Sequence, residues 1–162
     1  MSEEKVLHIR WQRLVDESDQ TCDRCGATGS AVEGAVAMLK RALQELGIEV
    51  VLKTEALSQA TFAQDPLESN RIWIAGLPIE WWLSATNGKS QCCSACGDAD
   101  CRTMTVDGKT YEAIPVELIL KAGLLAAARL LQPDQPEGCC GGTDNQVPDT
   151  GRMLPSSQCG CG

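Results

Sequence analysis

The sequence predicts an α/β fold in the order βαβ(α)ββα, with a cysteine-rich insertion and a disordered C-terminal tail. Three observations carry it. Residues from Val6 to Leu14 alternate between apolar and polar, the period of a half-buried strand. Val32, Val36, Leu39, Leu43 and Leu46 recur at three and four, the stripe of an amphipathic helix. Val106-Asp107-Gly108-Lys109 carries the Asp-Gly signal of a tight hairpin, shortly before a long apolar run opened by Pro115.

The first strand turns Leu7, Ile9 and Trp11 to one face and His8, Arg10 and Gln12 to the other. His8, the sole histidine, is therefore expected to point outward, and any mechanism needing two histidines is excluded. A polar loop leads to Thr21-Cys22-Asp23-Arg24-Cys25-Gly26. Ser30 and Glu33 form a capping-box pattern, so the helix is expected to start after the cysteine pair and to end at Gly47. Ile48, Val50 and Leu52 begin a second strand, completing a parallel βαβ unit. A short helix is expected over 58–64, stopped at Asp65-Pro66, and a third strand over 71–75. The segment from Leu77 to Leu83 reads equally as a returning strand after an Ala-Gly turn or as a helical turn opened by Pro78. Its Trp81 and Trp82 read as core and rim packing. The hairpin lies within residues 102–113, and Pro115 suits the first position of a last helix over 116–131.

From Gln132 onward the composition changes. Four of the seven prolines fall there, with almost no large apolar residue. Such a segment buries too little surface to offset its ordering entropy. The expected organisation is a domain over 1–131, with the insertion at 90–103, and a flexible tail over 132–162.

Cysteine is the outlier of this 162-residue chain, at ten copies. The N-terminal segment is acidic and has no apolar run, so no signal peptide is expected and the reading is cytoplasmic. Cytosolic cysteines are kept reduced, and there they bind metal or do redox work more often than they staple a fold. The net charge of −8 argues against nucleic acid or an anionic membrane as a partner. The most apolar stretch, from Leu118 to Leu131, falls about four residues short of the roughly 18 needed to span a bilayer.

The cysteines form three groups. Cys22 and Cys25 can converge on one ion or close on each other, and a helix N-terminus with Arg24 nearby favours thiolate. Cys92, Cys93, Cys96 and Cys101 put four sulfurs in ten residues, enough to wrap a tetrahedral ion, with zinc the expected occupant. Asp98 and Asp100 read as solvated loop charges. Cys139 and Cys140, with Cys159 and Cys161, sit beside glycines that let the chain wrap a soft ion: copper(I), zinc, mercury, cadmium or trivalent arsenic. The two Cys-x-x-Cys-Gly elements join into one site only if the segment after Leu77 returns the insertion to the Cys22 end. Separate sites are the reading adopted.

The strand–Cys22-x-x-Cys25–helix order resembles the thioredoxin-like superfamily over residues 5–131. With the 70–76 strand and the Cys92–Gly97 insertion, it looks like a bacterial family of uncharacterised thioredoxin-like domains. In redox-active relatives the first cysteine attacks and the second resolves. The resemblance thus implies Cys22 as nucleophile and Cys25 as resolving thiol. Ser69 and Asn70 stand where thioredoxins carry a proline.

Three functions follow. The first is binding or transfer of soft metal or metalloid ions through cysteine thiolates. The second is thiol–disulfide exchange with a redox partner protein. The third is a structural zinc module that docks a protein. Only the first uses all three cysteine groups.

Overall fold

The computed structural model describes residues 4–92 and 96–132. The expected tail, with Cys139, Cys140, Cys159 and Cys161, lies outside these residues, as does Cys93.

Strand β1 (Lys5–Leu14) and strand β2 (Ile48–Leu57) are parallel and in register from Lys5↔Ile48 to Leu14↔Leu57. Helix α1 (Asp23–Leu43) connects them, with a 3-10 turn at Gln44–Leu46. After α2 (Gln59–Gln64), capped by the Ser58 hydroxyl, β3 (Arg71–Ile74) pairs antiparallel with β1. The sheet order is β2-β1-β3-β4, a four-stranded mixed sheet. Leu7, Ile9 and Trp11 are buried and His8 is exposed, as the alternation predicts. Val32, Val36 and Leu39 of α1 complete this core with Ile119, Ala122 and Ala126 of α4 (Val116–Leu131). The two helices approach closely at Gly123, where a Cβ would lie 2.5 Å from Leu39 Cδ1.

Helix α1 begins seven residues before the capping box. Cys22 is its N-cap and Ser30 lies inside it. Tertiary packing overrides the local cap signal here. The Trp11 ring lies so close to Gly29 that a Cβ there would sit 2.4 Å from it. Thr28 is buried, and its hydroxyl accepts hydrogen bonds from Asn70 Nδ2 and from Ile114 N. Gly29 is thus a packing residue rather than a helix breaker.

The segment after Ala75-Gly76 does both things the sequence allowed. Both turn residues have positive φ, 49° and 80°. The two-residue strand β4 (Leu77–Pro78) pairs back on β3, and α3 (Ile79–Leu83) follows at once with Pro78 as N-cap. The late hairpin forms with Asp107 and Gly108 at φ 50° and 79°. It belongs to a second sheet, β5-β6-β7, built from Thr86–Gln91, Asp100–Val106 and Lys109–Tyr111. Met104 and Val106 of β6 join the same core as β1 and α1. Arg102 of β6 is held by a buried ion pair to Glu80 of α3, 2.8 Å, and donates to Leu67 O at 2.8 Å. The second sheet is thereby fastened to α3 and to the turn at Pro66–Glu68.

Candidate metal centre

Because β4 returns the chain, the cysteine-rich insertion opens toward Cys22. The sequence reading of two separate sites is corrected on this point. Strands β5 and β6 pair with Ser90 opposite Cys101 and Gln91 opposite Asp100. Cys92 therefore leaves the end of one strand as Cys101 enters the other. Cys22 Sγ lies 3.9 Å from Cys92 Sγ, and Cys101 Sγ lies 3.5 Å from Cys96 Sγ. The sulfurs of Cys22, Cys92 and Cys96 all fall within 4.8 Å of one another. Thiolates at about 2.3 Å from a tetrahedral ion have edges of about 3.8 Å, close to the 3.9 and 3.5 Å pair spacings. This group can hold a metal ion.

Cys22 is 8% exposed, Cys101 4% and Cys25 2%, while Cys92 and Cys96 are half-buried. A cavity of about 300 Å³, lined by Leu14, Asp16, Gln20, Thr21, Gln59, Cys22 and Cys96, opens onto two of the sulfurs. Cys25 faces inward, with its sulfur 3.6 Å from the Ser69 hydroxyl. Asp98 is exposed, and Asp100 is half-buried with Lys89 Nζ at 3.9 Å. Neither carboxylate joins the sulfur group.

The cluster holds one sulfur as thiolate. Hydrogen bonds from the Cys101 and Cys25 thiols, with the backbone of the first helical turn, push Cys22 far below the ordinary thiol range. The same bonds hold their donors protonated: Cys101 is raised chiefly by its bond to Cys22, and Cys25 by its bond to Cys22 and by burial. Burial, then the bond with Cys92, pushes Cys96 up to about 12. Arg24, expected from the sequence to favour the thiolate, contributes otherwise. Its guanidinium is instead turned to backbone, donating to Gln91 O at 3.3 Å and to Arg102 O at 3.2 Å.

Ser69, which stands at the position where thioredoxins carry a proline, lies against Cys25, and two further contributors have no signal in the sequence: the Arg102–Glu80 pair that fixes β6 and the backbone role of Arg24. The partners of these last two lie 22 and 78 residues away, and no local motif marks them. The tryptophans behave as rim and core. Trp81 is 56% exposed, and Trp82 donates to Ile74 O at 2.9 Å. Among the described residues no helix is long and apolar enough to cross a membrane.

An uncharacterised protein of Archaeoglobus fulgidus is 38% identical over 113 residues, covering 70% of this chain and 82% of that protein. No solved structure matches the chain. Residues 7–123, which span β1 to the middle of α4 and include every described cysteine, match the domain of unknown function DUF2703, and the chain belongs to that family.

Proposed function

We propose that this protein binds and transfers soft metal or metalloid ions through a thiolate site formed by Cys22, Cys92, Cys96 and Cys101. The observation that carries the reading is the convergence of Cys22 with Cys92 and Cys96 within 4.8 Å, from elements far apart in sequence. Sulfur-only donors select zinc, copper(I), cadmium, mercury and trivalent arsenic over hard cations. Zinc is the resident ion proposed for this sulfur set. The neighbouring cavity gives an incoming ion access to Cys22 and Cys96. Cys93 and the four tail cysteines would add ligands for capture. Elemental analysis of protein purified without an affinity tag, beside a free-thiol count, tests this. Bound soft metal with protected thiols is expected. Metal-free protein that takes up neither zinc, copper(I), mercury(II) nor arsenite at stoichiometric amounts rejects it.

A second reading is thiol–disulfide exchange, and one observation favours it. Cys22 caps α1 as the thiolate, with the protonated Cys25 thiol close behind, the arrangement of an attacking and a resolving sulfur. The strand–Cys22-x-x-Cys25–helix order supports the thioredoxin-like resemblance in the same way. Replacing Cys92 and Cys96 together by serine separates the two functions. Ion binding then fails, while disulfide exchange by Cys22 and Cys25 survives if the redox reading is correct.

A further inference from the structure

We infer that Arg24 is the positioning residue that assembles this site, tying the insertion to the start of α1. It stands between Cys22 and Cys25 in the first turn of the helix. Its side chain is only 12% exposed. The two terminal nitrogens of the guanidinium divide between the two arms of the β5–β6 hairpin. Nη1 donates to Gln91 O, the residue before Cys92, at 3.3 Å. Nη2 donates to Arg102 O, the residue after Cys101, at 3.2 Å. One planar fork thus grips the chain at both ends of the cysteine loop. The rigid geometry of guanidinium suits this bridging, which a single ammonium does poorly.

The fork acts on the sulfurs through their neighbours. Cys22 is held by the helix that carries Arg24. Cys92 and Cys101 are each one residue from a gripped carbonyl. The 3.9 Å approach of Cys22 to Cys92 therefore depends on bonds made by a residue that is not a ligand. Arg102 continues the chain of support, since its own guanidinium is fixed by Glu80 and Leu67 O. Glu112 lies 3.9 Å from Arg24 Nη1 at the outer rim and is mostly exposed, so its pairing is screened and contributes little.

The inference rests on the ion-binding reading for one readout only, and a second readout is independent of metal. In reduced, metal-free, full-length protein, a short bifunctional alkylating reagent such as dibromobimane should join Cys22 to Cys92, as mapped by peptide mass spectrometry. In Arg24→Gln that crosslink should fall clearly below the parent's. Cobalt(II) then serves as the spectroscopic probe. The parent should give the intense ligand-field bands of a four-coordinate thiolate site. Arg24→Gln should give weaker bands and an affinity lower by about ten- to a hundredfold, with unchanged far-ultraviolet circular dichroism. If Arg24→Gln does not fold, Arg24→Lys carries the same test, keeping the charge without the fork. Parent-level crosslinking in a folded Arg24→Gln protein would overturn the assignment. So would full recovery in Arg24→Lys, which would make charge rather than the fork responsible. If the parent binds no ion, the proposed function fails, and the crosslink alone still decides the role of Arg24.

Discussion

Cys22 and Cys92 are seventy residues apart in sequence and bring their sulfurs to 3.9 Å, one from the cap of α1 and the other from the end of β5. Cys22 caps the helix that follows β1 of the first sheet, and Cys92 follows β5 of the second, so a bound ion would fasten two parts of the fold as well as occupy a loop. Cys22 is the hinge of this arrangement, since the neighbouring Cys101 and Cys25 also lower its pKa. Cys22→Ser should therefore abolish tight binding of zinc or cadmium. Cys25→Ser should reduce it far less, because the Cys25 sulfur is turned toward Ser69. Isothermal titration of the two variants checks this. Equal loss in both would place Cys25 among the ligands.

Ion affinity should rise with pH across the neutral and mildly alkaline range. The pKa values of Cys96 and Cys101 are raised, and as ligands in the proposed site each would have to release a proton to bind an ion. Stability of the metal-free protein should move the other way above the ordinary thiol value. Where a folded-state pKa is raised, the native state holds a proton that the unfolded chain has lost, so stability falls as pH climbs past 9.0, the ordinary value for Cys25, Cys96 and Cys101. Urea unfolding between pH 8 and 10.5 measures it. A flat profile would show that these thiols titrate alike in both states.

Cys22 should be the first cysteine modified by a limiting alkylating reagent, and its rate should hold as pH drops below the ordinary thiol range. A thiolate stabilised by neighbouring thiols persists where free cysteine is protonated. Timed labelling with mass mapping reads this directly. The site is only 8% exposed, so the rate reports access through the adjacent cavity as well as ionisation. If Cys22 labels last among the ten, the thiolate assignment is wrong.

Gly29→Ala should destabilise the fold by about 1–3 kcal/mol, the usual cost of overpacking a core. The added methyl group would lie 2.4 Å from the Trp11 ring. That ring has little freedom to yield, because its Nε1 donates to Asn70 Oδ1 at 3.3 Å and Asn70 is itself bonded to Thr28. Chemical denaturation followed by tryptophan fluorescence measures the effect. No change in midpoint would mean that α1 moves away from the sheet at little cost.

The strand alternation of Leu7, Ile9 and Trp11 and the helical stripe from Val32 to Leu43 were legible because each is a local period imposed by one buried face. Asp107-Gly108 was legible because positive φ at both positions restricts residue choice. The start of α1 was not. Its position depends on Trp11 over Gly29 and on Asn70 against Thr28, contacts that no window around Ser30 contains. The sulfur groups were legible as residues, but their convergence depends on Leu77–Pro78, a strand of two residues whose pairing with β3 decides which end the insertion reaches. Arg24 misled for the same reason. Beside two cysteines it reads as an electrostatic aid, yet its acceptors are backbone carbonyls of Gln91 and Arg102.

Removing a bound ion should loosen residues 90–103 and the first turn of α1 together, while β1, β2 and the centre of α1 stay protected. In the proposed site both regions would supply ligands, so an ion would link the opening of one to the opening of the other. The Gly26 amide, bonded to Cys22 O at 2.8 Å, reports the helix start, and the β5–β6 ladder amides report the insertion. An ion present at about a thousandfold above its dissociation constant stabilises the form that binds it by roughly 4 kcal/mol. Local openings that break the site should slow by a similar factor, whereas openings elsewhere should not. Hydrogen exchange with and without chelator, with metal loss confirmed by elemental analysis, makes the comparison. Protection lost from 90–103 alone would confine the ion to the insertion and remove Cys22 from its ligands. Equal protection in both states would deny the ion any structural role. Coupled loss at Gly26 and across β5–β6 is what a site shared between the helix cap and the hairpin requires.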